Sequence, residues 1–329
     1  MGRGCLGMGV ARAWRRSSVS DLTKLAPKPP FANYDLVVYF GGGLFALPVI
    51  HHFYFRPLQL TLQPPLITAG SPTIDAVLTV LFFLFFAYII GHGLAYASGQ
   101  IIQKGADGVF GKTSGVIIWE SLTNDAERRK RTQELILHHL SHSFEKYNWL
   151  ASAARALFHL PILPFYFVIF KAGVFGFYGS RVPEEVIGLI RRRLALIGLP
   201  EIPVAHRGYW FKPLEHYVMN NFPVATARMY NYLVISGLFR SMALIFLLCI
   251  WLQGYYDIHW LLDNHIRLAP ILGEGSRAMP LWQLYLVLVC SYFICLFSFL
   301  KFQRRYVEEA MFAFALTRDN DLAQGDSAP

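Results

Sequence analysis

Val77-Leu-Thr-Val-Leu-Phe-Phe-Leu-Phe-Phe-Ala-Tyr-Ile-Ile90 carries no charged side chain, no glycine and no proline, and it lies within an apolar stretch from about Ile74 to Ser98. A bilayer core of about 30 Å needs about 20 mainly apolar residues in a helix. Only a helix or a closed barrel can satisfy its own backbone hydrogen bonds in lipid. The stretch therefore reads as a transmembrane helix, and this reading decides the class of the whole chain.

Working outward, three more segments meet the same test. One runs from about Asp35 to Phe55 and contains Gly41-Gly42-Gly43 and Pro48, residues tolerated in membrane helices where neighbours pack closely. A third begins after Tyr230 and includes Ser241 to Gln253, and a fourth covers Leu281 to Leu300. Trp251, Tyr255, Tyr256, Trp260, Trp282 and Tyr306 at their ends suit the interfacial aromatic belt. With 54% hydrophobic and 16% charged residues, the chain departs from soluble composition. The expected fold is an all-α integral membrane protein with about four transmembrane helices in two hairpins, and a helical cytoplasmic insert containing amphipathic or re-entrant segments.

Orientation follows from Lys and Arg. The N-terminal segment has Arg3, Arg12, Arg15, Arg16, Lys24 and Lys28 against Asp21, and the C-terminal flank has Lys301, Arg304 and Arg305. The loop at 56–73 holds only Arg56, and the loop at 254–280 only Arg267 and Arg277. The positive-inside rule puts both termini and the insert in the cytoplasm. Five regions result: a basic cytoplasmic segment (1–34), a first transmembrane hairpin (35–98), a membrane-associated helical insert (99–230), a second hairpin (231–302), and a cytoplasmic helix and tail (303–329).

Leu160 to Gly179 is long enough to cross but is interrupted by Lys171, Pro161 and Pro164. Crossing would export either the cations between Lys104 and Arg155 or those between Arg181 and Arg228. The stretch is therefore expected to be re-entrant, interfacial or buried in the insert. Next, Pro183 opens a helix, Glu184 and Glu185 suit its first turn, and Gly198 with Pro200 closes it. Val186, Ile187, Ile190, Leu194 and Ile197 recur at helical spacing around Arg191, Arg192 and Arg193. Such a helix either lies on an anionic leaflet or packs inside the insert with a solvated basic rim.

Candidate chemistry sits at four places. Glu134, His138, His142 and Glu145 are spaced by four, four and three residues, which puts two imidazoles and two carboxylates on one helical face suited to a transition metal. His138-His139-Leu-Ser-His142 resembles one histidine box of the membrane fatty-acid desaturases and hydroxylases, which have four spans and cytoplasmic termini. That resemblance implies a metal-dependent enzyme acting on a lipid, but the chain's other histidines are scattered singly. Ala106-Asp-Gly-Val-Phe-Gly111-Lys112-Thr113 fits a permissive phosphate loop without the strand such a loop needs. It is better explained by a turn leaving the membrane.

His51, His52, His92 and Arg240 lie near membrane depth, where ionisable groups are functional candidates by default. His51, His52 and Arg240 are expected near helix ends, snorkelling to the interface, while His92 between Gly91 and Gly93 suits an interhelical contact. Finally, His216, Tyr217, Asn220, Asn221, Arg228, Tyr230 and Asn231 lead into the third span, as a head-group site or as a structural network.

Cys5, Cys249, Cys290 and Cys295 show no paired spacing, so neither a disulfide framework nor a zinc site follows. The net charge of +9 is explained by membrane-side bias, and no nucleic-acid motif accompanies it. The arginine-rich N-terminus fits a bacterial cytoplasmic membrane, with the mitochondrial inner membrane as the alternative. The expected function is a non-enzymatic subunit that binds anionic lipids, a protein partner or its own copies, without a cofactor. The alternatives are the metal-dependent lipid enzyme and an oligomeric channel or effector. Head-group contacts are expected from Arg191, Arg192, Arg193, His216, Asn220 and Arg228.

Overall fold

The computed structural model describes residues 34–52, 72–110, 112–122, 149–166, 182–196, 211–263 and 281–316. Every element among them is helical. Helix α1 covers Asp35–Ile50; its opening part, Asp35–Gly41, is wound to wider i→i+5 bonding. Helix α2, Pro72–Ser98, continues through a second widened turn at Gly99–Gln103 into α3, Lys104–Phe110. Then come α4, Thr113–Leu122, and α5, Trp149–His159, followed by a 3-10 turn at Leu160–Ile162. The rest is α6, Glu184–Leu196, α7, Phe211–Asn221, α8, Pro223–Asp263, and α9, Leu281–Leu316.

Among the described residues, three helical stretches are long and apolar enough to cross a membrane: Pro72–Asp107, Pro223–Ile258 and Trp282–Leu316. Asp35–Ile50 is a shorter apolar helix. The antiparallel pair α8 and α9 forms the backbone of the molecule. Phe302 stacks on both Tyr232 and Phe239, and the Tyr285 hydroxyl donates to Asp257 at 2.7 Å near the opposite end. With 41 and 36 residues, these helices are about 60 and 54 Å long at 1.5 Å per residue, against ~30 Å of hydrocarbon. About half of the pair is thus surplus to one membrane crossing.

That surplus has its own core. Ile187, Ile190 and Leu194 of α6, Phe211, Leu214 and Val218 of α7, and Ile117 of α4 pack on Met229 of α8 and on Val307, Met311 and Phe314 of α9. A second core, around Leu244, Leu247, Tyr292, Leu296 and Phe299, takes in Ile102, Ala106 and Ile162. Outside lipid, each buried Leu or Met side chain contributes about 1.5–3 kcal/mol by leaving water. Inside lipid that drive is absent, and close backbone approach and polar contacts take its place.

Helices α1 and α2 meet by close backbone approach. A Cβ on Gly43 would overlap the Ala87 carbonyl, and one on Gly91 would overlap the Tyr39 carbonyl. Ala87, Gly91 and Ala95, spaced by four residues on α2, are all buried. Helix α8 also admits α1 at a glycine, with a Val38 methyl 3.1 Å from where a Cβ of Gly237 would stand. The triple glycine 41–43 is therefore a packing surface.

Three expected boundaries fall inside continuous helical stretches: the boundary at 98 lies within Pro72–Asp107, α8 starts at Pro223 ahead of the boundary at 230, and α9 passes 302 without a break. Of the apolar stretch 160–179, the described part is 160–166, which packs on α8 and α9; the remainder lies outside the described residues.

Candidate functional site

Helix α6 forms because Pro183 and two glutamates suit its first turn and apolar residues recur at helical spacing. One apolar row is covered by protein, with Ile187, Ile190 and Leu194 each at most 1% exposed, while Leu189 and Leu196 are exposed. The three arginines divide. Arg193 is buried and donates from its guanidinium to the Phe314 carbonyl at 2.6 Å, closing the end of α9. Arg191 and Arg192 are exposed. Helix α6 thus packs on α9 and α4 with Arg191 and Arg192 exposed, and Arg193 belongs to the packing.

Beside it, α7 buries Phe211, Leu214 and Val218 and exposes Lys212, His216 and Asn220, spaced by four residues. Asn220 and His216 are hydrogen-bonded to each other at 3.1 Å. The Tyr306 hydroxyl donates to Glu215, tying α7 to α9. Arg228, on α8, pairs with Glu309 at 3.2 Å across the helix pair. Within the path His216 to Asn231 the bonds of His216, Asn220 and Asn221 stay inside α7 and that of Arg228 joins α8 to α9, while Lys212, His216 and Asn220 lie on the outer face of α7. Close by, Arg304 and Glu308 form a buried pair at 2.7 Å, and Arg305 adds a second bond to the same carboxylate at 3.2 Å. Geometry of this kind matters because an unpaired buried charge costs several kcal/mol.

Arg240 differs from its expectation. It stands well inside α8 rather than near a helix end, and its guanidinium turns into the protein. It donates to the Ser98 hydroxyl at 3.1 Å, to the Gln103 side chain and to the Ala95 carbonyl at 3.4 Å. Tyr34 is a further hydrogen-bond partner. Ser98 and Ser241, both fully buried, lie 3.5 Å apart beside it. This cluster joins α1, α2 and α8. Snorkelling is replaced by an intramolecular pin, because the fork of donors finds its acceptors within reach. The sequence signal was the pair Ser98 and Gln103 at the end of an apolar run, whose partner could not be read from one chain.

His92 is exposed, with its ring stacked on Tyr39 at 3.6 Å and edge-on to Tyr88 at 4.6 Å. Its two glycine neighbours play different parts: Gly91 is pressed against α1, while Gly93 has open space beside it. His51 is likewise exposed at the end of α1.

Glu134, His138, His142 and Glu145 lie outside the described residues, as does His206. Among the described residues no group of three His, Cys, Asp or Glu side chains could hold a metal ion. His159, a possible additional ligand, is committed elsewhere: its ring sits against Gly105 and bonds the Arg155 carbonyl at 2.8 Å. Burial lowers its pKa, a tendency its bond to the Arg155 carbonyl opposes and the Arg155 charge reinforces.

The phosphate-loop pattern falls largely within helix α3. Ala106 is buried in the core, Thr113 donates to Gln303 at 3.3 Å, and the helix of α2 precedes it where a strand would be required. No protein-family model, curated protein or solved structure matches the chain.

Proposed function

We propose that this chain is a non-enzymatic membrane subunit whose extramembrane helical layer binds anionic lipid head groups. The observation that carries the reading is the division within α6. Its row Ile187, Ile190 and Leu194 is buried against α9 and α4, so Arg191 and Arg192 are held outward at the foot of an apolar hairpin. Lys212, His216 and Asn220 extend the polar surface on α7. Near an anionic leaflet each such cation contributes about 1 kcal/mol.

In this reading α1 is the fourth crossing. Its support is close packing against two candidate spans through Gly43, Gly91 and Gly237, together with Ala46 buried beside Ile245 and Cys249. Both termini and the helical layer face the cytoplasm of a bacterial cell, the side rich in Lys and Arg. Partners are anionic lipids first and a protein or a second copy next.

The test compares phosphatidylglycerol with phosphatidylcholine as stabilisers of the detergent-purified chain. A ligand that binds only the folded state raises the melting temperature. Selective stabilisation by the anionic lipid, weakened by salt, supports the reading; equal stabilisation by both lipids removes it.

A further inference from the structure

Residues 153–166 have their polarity turned inside out. On a helix facing water the apolar side faces the protein and the polar side faces out. Here the exposed residues are Ala153, Ala154, Ala156, Leu157, Leu160, Leu163, Pro164 and Phe165, all without a polar side chain. The exposure is large where it counts: 58% for Leu157, 56% for Leu160, 50% for Leu163 and 40% for Phe165. Arg155 is half-buried, and the other polar groups are turned to the protein. His159 is seated on Gly105 of α3, and the Phe158 carbonyl accepts the indole N–H of Trp251 at 2.8 Å.

The inner face also fixes where the segment lies. Ile162 is fully buried in the core shared by α8 and α9. The Tyr166 hydroxyl is 2.9 Å from that of Tyr292, and its ring meets Phe293 edge-on at 5.2 Å. Trp251, Tyr292 and Phe293 all belong to stretches apolar enough to cross a membrane. The helix it packs on, α9, also exposes apolar side chains, Leu286, Val287 and Ile294. In water so much exposed apolar surface would be an aggregation liability.

We infer that residues 153–166 are inserted into one leaflet beside α8 and α9, with Leu157, Leu160, Leu163 and Phe165 in contact with lipid acyl chains. The ligand class is hydrocarbon, and the contact is distinct from the head-group contact assigned to α6. The inference rests on the chain's membrane residence but not on Arg191 or Arg192, so either can fail alone. A half-inserted segment of this kind anchors the insert to the bilayer without a further crossing, which keeps both basic flanks on one side.

The test is nitroxide scanning of the full-length chain in lipid nanodiscs, with the four native cysteines replaced. Labels at positions 157, 160, 163 and 165 should be accessible to oxygen and protected from a water-soluble nickel chelate. Labels at Arg191 and Lys212 should show the reverse. Chelate access at the four positions, or protection from both reagents through contact with another chain, would overturn the inference. Wild-type protein provides the second arm: photoreactive acyl phospholipid should label the peptide 153–166, and labelling of α2 without that peptide would contradict insertion.

Discussion

The backbone of Gly91 on α2 lies against the carbonyl oxygen of Tyr39 on α1 so closely that no Cβ fits between them, and Gly43 makes the reciprocal contact with Ala87. If α1 is the fourth crossing proposed above, apolar burial does not drive it against α2 in lipid, and this contact is a main source of their adhesion. Gly91→Ala and Gly43→Ala should each destabilise the chain by about 1–3 kcal/mol through overpacking, seen as a lower melting temperature in detergent. Gly93→Ala, one residue away in open space, should leave stability unchanged or raise it by up to ~1 kcal/mol. Equal effects at 91 and 93 would contradict the packing.

Arg240 is the pin between α1, α2 and α8. Arg240→Lys should not rescue Arg240→Met, because one ammonium cannot reach Ser98, Gln103 and the Ala95 carbonyl together. A double-mutant cycle between Arg240→Met and Ser98→Ala should give a coupling on the order of 1 kcal/mol. Additive losses in urea or thermal unfolding would mean that the two side chains do not share one network.

The apolar run 77–90 and the segment 281–300 were legible because an uninterrupted apolar helix has no other stable setting than lipid or a large core. The start of α8 was not legible. Residues 223–230 mix Thr226, Arg228 and Tyr230 with apolar positions, and only packing against α7 and α9 makes them the base of the same helix. The arginine triplet shows the same limit from the other side. Helical spacing marks 191–193 as basic, but which of the three turns inward depends on the Phe314 carbonyl, 121 residues away. The quartet Glu134, His138, His142 and Glu145 was legible as a pattern and lies outside the described residues.

Arg193 and its neighbours should therefore behave in opposite ways. Arg193→Gln leaves the Phe314 carbonyl without its donor and should cost about 1–3 kcal/mol. Arg191→Gln and Arg192→Gln should each stay within about 0.5 kcal/mol, as exposed substitutions usually do. Thermal melts of the three single variants in the same detergent check this.

His159 predicts a pH dependence. Its pKa is lowered in the folded chain, chiefly by burial, while in the unfolded chain it titrates near ~6.5. As pH falls through that value, the unfolded state takes up a proton that the folded site resists, so stability is full above it and declines below it. Melting temperatures between about pH 8 and 5 should fall accordingly. In His159→Gln that part of the slope should vanish; an unchanged slope would assign it to other groups.

The central claim is that Arg191 and Arg192, held outward by α6, read anionic head groups. The most direct measurement is phosphatidylglycerol binding to the detergent-purified double variant Arg191→Gln/Arg192→Gln, followed by melting temperature across a lipid titration. Losing two cations worth about 1 kcal/mol each should weaken binding by roughly 30-fold, with the lipid-free melting temperature unchanged. Undiminished binding by a folded double variant would contradict the account.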